Sequence, residues 1–464
     1  MMKFLLTTLN AKYIHLNLAL RSISAFCRKF NPEICEYTIN DNIDNIIASL
    51  HSKKTDVIAF SCYIWNIEKV LYISQCLKKV NPNLIIILGG HEVSHDSKEI
   101  LKENPWIDFI IRGEGEKPCY ELFEALYNRR FVDKIPSITY REEDKILENP
   151  LGESGSLNDY PFAYDESIRD FKGKIVYYES SRGCPYCCSY CLSGDSRRVD
   201  YLDLDRVKKE LLFFIENEVP LVKFVDRTFN ADKKRANEIW KFIIENSRKT
   251  KFHFELAGSL IDDSSIEILK KAPEGIIQFE IGVQSTNENT ISAIGRSIEF
   301  EDVRENVEKI LALGNIHIHL DLIAGLPGEG EAEFEELCEF LSEVKLQRAG
   351  VFSFSPQEGT EAATMEFVDT EEAQRRAELL VDVQSRIIDW YNEETLGEVL
   401  EILCEGFDPQ AQMYVGRSYG ESPDIDGRVY FTADAEIMAG TFVPVRITGV
   451  MDGELTGELW EEET

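Results

Sequence analysis

Two successive arrays of short β-branched runs, each run followed by an amphipathic stretch of helical period, constrain the fold of this 464-residue chain more than any other feature. In the first array "KFLLTTL", "CEYTI", "DVIAFSCYI", "LIIILGG" and "DFIIRGEGE" alternate with stretches such as "NIEKVLYISQCLKKV". Apolar runs separated by helices mark strands covered on both faces, so residues 1–140 are expected to form a doubly wound parallel α/β sheet. Turn signals in "ENPLGESGSLNDYP" make 141–171 a linker or small hairpin. The second array, "IVYYES", "VKFVDRTFN", "FHFELAGS", "IIQFEIGVQS", "IHIHLDLIAGL" and "GVFSFSP", supplies six β/α units. These predict a central partial (β/α)6 barrel over 172–392, closing with a helix from about Thr370 to Asn392 and carrying its functional groups at the strand C-terminal ends. Short strands with Gly and Pro turns predict a small all-β barrel over 396–464.

No run approaches the ~18 apolar residues a membrane helix needs, and the N-terminal segment offers no cleavage site, so a cytoplasmic protein with no membrane partner is expected. Eleven cysteines, an odd number, fit a reducing compartment in which clustered thiols bind metal. Four of them lie in "SRGCPYCCSYC" (Ser181–Cys191), where the first strand of the second array ends. Cys184, Cys188 and Cys191 form CxxxCxxC, and soft thiolates so spaced on one loop can wrap an iron–sulfur cluster. Three ligands leave one iron of four open to chelate a substrate or cofactor. A zinc site would want a fourth Cys or His nearby, and the next is His253. Cys187 reads as a small buried residue or spare thiol.

The net charge of −33 is unevenly spread. Residues 1–327 carry a net of −8 and residues 328–464 a net of −25, and Lys345 is the only lysine after Pro327. The step suggests two segments of different history joined near "GLPGEG" (Gly325–Gly330). It also disfavours a generic nucleic-acid binder, which needs a basic patch.

With "FVDRTFN", "FEIGVQS" and "DLIAGLP" at later strand ends, CxxxCxxC resembles the signature of the radical S-adenosylmethionine (SAM) superfamily. That resemblance implies a [4Fe-4S] cluster held by Cys184, Cys188 and Cys191, whose open iron binds SAM and whose electron, delivered by a flavodoxin or ferredoxin, cleaves it to a 5′-deoxyadenosyl radical. It also implies SAM contacts from Asp226 and Arg227, from Glu280, Gln284 and Ser285 on the ribose and methionyl side, from Arg296 to the carboxylate, and from Gly325 at the adenine-side turn.

In the first array "ILGGHEVSHD", "IIRGEGE" and "AFSCYIW" end strands in glycines and small residues, which let backbone approach a flat ligand closely. Neither glycine pair matches GxGxxG opening a helix, so a nicotinamide cofactor is not expected. These loops resemble the cobalamin-binding domain of cobalamin-dependent radical SAM enzymes, a resemblance that covers roughly residues 1–327. It implies Ser61, Gly89, Gly90, His91, Ser94, Gly113 and Gly115 as cobalamin contacts. The lower-ligand motif Asp-x-His-x-x-Gly is replaced by "NAKYIHLNLA", so His15 is expected to be a satisfied surface or core histidine, with a cobalt ligand as the alternative.

From about Gly328 the chain instead resembles the methylthiotransferase that modifies an aspartate of a small-subunit ribosomal protein, terminal TRAM barrel included. Residues 396–464 hold 15 acidic and 3 basic side chains, so this barrel would repel RNA and attract a basic ribosomal protein. The sulfur-handling cysteine triad of that family has no counterpart in the scattered Cys27, Cys35, Cys62, Cys76 and Cys119. Three readings follow: a cobalamin-binding radical SAM enzyme of methyltransferase type; a methylthiotransferase; and a non-catalytic composite whose barrel halves pack poorly and which only binds cofactors.

Overall fold

The computed structural model describes residues 2–143, 145–165, 168, 173–192, 198–296, 298–418, 421, 427–451 and 453–460. The chain divides into two compact units, the first comprising Met1–Gly183, Val199–Arg227 and Glu238–Phe254, the second Cys184–Arg198, Thr228–Asn237 and Glu255–Thr464.

The first unit opens with strands β1 (Phe4–Asn10), β2 (Glu33–Thr38), β3 (Val57–Ser61), β4 (Ile85–Gly89), β5 (Phe109–Ile111), β6 (Ile138–Glu142) and β7 (Lys145–Glu148), in sheet order β2-β1-β3-β4-β5-β6-β7. The first five are parallel, as the alternation predicts. Alternate side chains of β1 feed opposite cores. Leu5 and Leu9 meet α2 (Ile43–Ser52) and α3 (Ile67–Val80), while Phe4 and Leu6 meet α1 (Leu18–Phe26) and, past α4 (Ser97–Glu103), α5 (Glu116–Asn128). Helices on both faces explain why these strands are apolar runs without alternation. The order 2-1-3-4-5 puts a topological switch point between β1 and β3, where such sheets bind ligands beyond the strand C-terminal ends. β6 and β7 form a hairpin that adds antiparallel to β5. The expected boundary at 140 therefore falls inside β6, because the turn residues of 141–171 close a hairpin before the linker begins.

β8 (Ile175–Tyr178) pairs in parallel with β11 (Leu221–Phe224), and β11 with β12 (Lys251–Leu256). Between them a short antiparallel pair, β9 (Ser181–Gly183) with β10 (Val199–Tyr201), brackets the cysteine loop and precedes α6 (Leu204–Glu216). The sequence reading did not anticipate this pair. α7 (Lys233–Asn246) leads to β12. Along these strands Val176, Tyr178, Val222, Phe224, Phe252 and Phe254 are buried, while the alternate positions are more open.

In the second unit α8 (Asp263–Leu269) is followed by β13 (Ile277–Gln284), α9 (Glu288–Ala293), α10 (Phe300–Leu311), β14 (His317–Ala324), α11 (Glu331–Val344), β15 (Ala349–Ser353) and the long α12 (Thr370–Glu394). β13, β14 and β15 are parallel. Each unit thus carries three β/α repeats of the second array. Strands β16 (Val399–Asp408), β17 (Met413–Arg417), β18 (Val429–Thr432), β19 (Phe442–Met451) and β20 (Glu454–Leu459) close a separate barrel around Ile402, Val429, Phe431, Val445 and Ile447.

Packing is continuous across the compositional step. Ile294, Leu326, Phe354 and Ala362 share one core. Glu329 accepts from the Gly325 amide at 2.7 Å and pairs with buried Arg376 at 2.9 Å. Among the described residues no helix is long and apolar enough to cross a membrane.

Candidate functional site

The cysteine loop starts where β9 ends, and a buried carboxylate sets that start. Asp226 lies two residues beyond β11 and is 1% exposed. One of its oxygens accepts from the Ser180 amide at 2.7 Å, and the other from the Ser180 and Ser181 hydroxyls at 2.6 and 2.7 Å. Burial lifts its carboxyl to about 6, against the pull of those three donors. The resemblance suggested a SAM contact; the structure turns the carboxylate into the β8–β9 turn, where it organises the entry to the loop.

Cys184, Cys188 and Cys191 are all partly exposed. Cys184 Sγ lies 3.3 Å from the Thr228 hydroxyl, and the Cys191 amide donates to the Cys188 carbonyl at 3.0 Å. Burial pushes the Cys188 thiol up, with Arg296 opposing it. Backbone bonds anchor the middle of the loop, from the Ser189 amide to Ile294 and from the Ala362 amide to Ser189. The Gly295 Cα lies so close to the Cys187 carbonyl that a Cβ there would stand 3.2 Å from it. Among the described residues no three Cys, His, Asp or Glu side chains converge on a point that could hold one metal ion. Thiolates on separate irons of a cubane need not converge in that way, so the three cysteines on one accessible loop fit a multi-iron cluster.

Arg296 follows that anchoring turn. One guanidinium nitrogen donates to the Gly282 carbonyl at 2.6 Å, while its buried Nε has no partner, as suits a guanidinium aimed at an anionic ligand. Glu280, Gly282 and Gln284 occupy the less buried face of β13, and Gln284 has a positive φ of 69° at an irregularity in the pairing with β14. Ser285 is buried, its amide bonded to Val283 and its hydroxyl accepting from Asn287. Gly325 has φ 85°, and a Cβ there would lie 2.5 Å from the Ala373 Cβ, so contact with α12 already accounts for this glycine. Arg227 is exposed, and its charge acts on His91 in the N-terminal sheet.

The corrinoid-side candidates gather at the C-terminal ends of β3, β4 and β5. The Ser61 carbonyl accepts from Thr8 and Asn66, and the Cys62 amide donates to Gly89. Gly90 has φ 116°, and a Cβ would overlap the Cys62 carbonyl. Ser94 donates to the Gly90 carbonyl at 2.7 Å and accepts from the Gly113 amide at 3.3 Å, tying two candidate loops together. Gly113 has φ 69° with nothing within 4 Å of a Cβ, an open cradle of the kind a bulky flat ligand needs, whereas Gly115 packs on Ile23. Burial, then Arg227 and His95, holds His91 below the usual histidine range. His15 Nδ1 is satisfied by the Tyr177 hydroxyl at 2.6 Å.

One constellation escaped the sequence reading. Arg182, two residues before Cys184, is clasped by Glu179, Glu116 and Glu114 at 2.6, 2.8 and 3.5 Å and lies over the Tyr160 ring. Its signal was the pair of glutamates inside "GEGE", read there only for its glycines.

Three family models match the chain: the B12 binding domain over residues 5–123, the radical SAM superfamily over 178–341 and the TRAM domain over 396–459. The ribosomal protein uS12 methylthiotransferase RimO of Symbiobacterium thermophilum is 27% identical over 392 residues, 82% of this chain and 77% of that protein. RimO of Clostridium botulinum is 29% identical over 477 residues, covering 96% and 99%. Among solved structures the fold is shared with the radical SAM methyltransferase TsrM from Kitasatospora setae (TM-score 0.64, 16% identity, 75% of this chain and 72% of that one). It is shared too with the cobalamin-dependent radical SAM enzyme OxsB (TM-score 0.63, 18% identity, 84% and 61%).

Proposed function

From a chain that carries a B12-binding, a radical SAM and a TRAM domain, and with them a [4Fe-4S] cluster, SAM and cobalamin as cofactors, we propose a radical SAM enzyme that transfers a methyl group. When bound, those cofactors supply a 5′-deoxyadenosyl radical and a methyl donor; the protein orients them and excludes water. Cys184, Cys188 and Cys191 hold the cluster, and Arg296 offers its free Nε to the SAM carboxylate. Glu280 and Gln284 line the ribose and methionyl side, while Asp226 and Ser285 shape the site from behind it. Gly89, Gly90, Ser94 and Gly113, with Ser61, His91 and Gly115, cradle the corrinoid. Residues 172–392 act as the radical SAM domain and 396–464 as the TRAM domain, and a flavodoxin or ferredoxin delivers the electron.

The observation that carries this reading is the placement of the N-terminal cysteines. Cys27 and Cys119 are buried in the core on one face of the sheet and Cys62 in the core on the other. Burial pushes the Cys62 thiol up to about 12. Thiols separated by a sheet, with that of Cys62 held protonated, are poorly placed to gather a second cluster that would donate sulfur.

The second reading, methylthiotransfer to a ribosomal-protein aspartate, is favoured by the RimO relatives and by an acidic TRAM barrel suited to a basic partner. Metal content after anaerobic reconstitution with iron, sulfide and cobalamin separates the two. About four irons and about one cobalt per chain, with 5′-deoxyadenosine formed from SAM by the parent and not by Cys184→Ala, support methyl transfer. About eight irons without cobalt would put methylthiotransfer first.

A further inference from the structure

Glu114 and Glu116 alternate with the glycines of the loop after β5, the loop proposed to cradle the corrinoid. Both face Arg182, on the strand that enters the cysteine loop. Glu116 is the deeper of the two and also accepts from the Ser22 hydroxyl at 2.9 Å. Glu114 lies 3.5 Å from the guanidinium and accepts from the Tyr160 hydroxyl at 3.2 Å. Glu179 holds Arg182 from the turn between β8 and β9 through two bonds, at 3.0 and 2.6 Å.

Three carboxylates around one guanidinium exceed what charge balance requires. A surface pair would need one. The further two come from a segment 66 residues away in the chain, and that segment is tied through the Gly113 amide and Ser94 to Gly90. Hydrogen bonds joined by two short stretches of backbone, 113–116 and 182–184, therefore run from the corrinoid-side glycines to β9 and on to Cys184. β9 is three residues long; among the described residues it pairs with the equally short β10 and is held from beneath by Asp226 through Ser181, so Arg182 is its link to the loop after β5.

We infer that Arg182 is a positioning residue through which the corrinoid loop and the cluster loop set each other's geometry, so that loading either site favours loading the other. This rests on the cofactor assignment above. Coupling of this kind is reciprocal, and it is measured as a ratio of affinities.

The test is titration of the full chain with hydroxocobalamin, followed by its visible spectrum, in the cluster-loaded form and in the cluster-free Cys184→Ala form. The expected result is tighter binding by the cluster-loaded chain, by about fivefold or more. Introducing Glu116→Gln or Glu114→Gln, each isosteric, into both forms should bring that ratio towards one while iron content and melting temperature hold. If Glu116→Gln does not fold, Glu114→Gln, on the more accessible carboxylate, carries the test. A ratio of one in the parent, or an undiminished ratio in folded, iron-loaded variants, overturns the inference. Binding by neither form would overturn the corrinoid assignment itself, a distinct outcome visible before any ratio is formed.

Discussion

Around the corrinoid-side loops the determining contacts are made by backbone: Gly90 abuts the Cys62 carbonyl, and Gly113 sits at positive φ in open space. The cysteine loop is instead set by buried charge, with Asp226 under its entry, Arg182 beside it and Arg296 across from its middle. On the proposed assignment, the difference follows from the ligands each region would meet. A wide, flat corrinoid is accommodated by removing side chains, whereas a small charged cluster with a charged co-substrate is matched by fixed ionic groups in a partly desolvated place. It follows that added volume at Gly90 and Gly113 should disturb the first region, and pH acting on Asp226 the second.

Gly90→Ala should be the most damaging change of this kind, since the new Cβ overlaps backbone that cannot move without parting β3 from β4. A loss of about 3 kcal/mol is expected, read as a lower denaturation midpoint of the cofactor-free chain. Gly113→Ala sharpens the contrast. With room for the methyl group only the left-handed backbone is penalised, about 1–2 kcal/mol, so a small drop in midpoint should accompany a larger loss of hydroxocobalamin affinity if the ligand occupies that space.

Asp226→Asn examines the other side of the comparison. A carboxyl raised to about 6 in the folded chain keeps a proton there that the unfolded chain has released. The stability it contributes is complete below the unfolded value of about 4 and is lost as pH rises through about 6. Between about pH 5 and about pH 7 this amounts to roughly 1 kcal/mol, which the neutral variant should not show. Equal pH slopes for parent and variant in denaturant titrations would mean that Asp226 is ionised throughout, and the contrast between the two regions would weaken.

Much of this architecture was legible in order along the chain. The run of apolar segments at the period of strands and helices marked the doubly wound sheet, the six barrel units and the terminal barrel, because burial on one or both faces imposes that period locally. CxxxCxxC was legible for the same reason: its ligands lie within eight residues on one loop. Residues whose roles depend on direction were not. Asp226 reads as a free acid at a strand end, yet its carboxylate is taken by Ser180 and Ser181, 46 and 45 residues earlier. Gly325 reads as a ligand turn, yet Ala373 of α12 already occupies the space beside it.

Local pattern alone thus determined the main strands and helices, their order, and which loop carries the thiolates, though not the short β9–β10 pair. Tertiary structure decided where each charge points. Glu116 and Arg182 meet across 66 residues, and Cys62 is parted from Cys27 and Cys119 by a sheet, because long-range packing, which no sequence period encodes, selects which side chains are desolvated together.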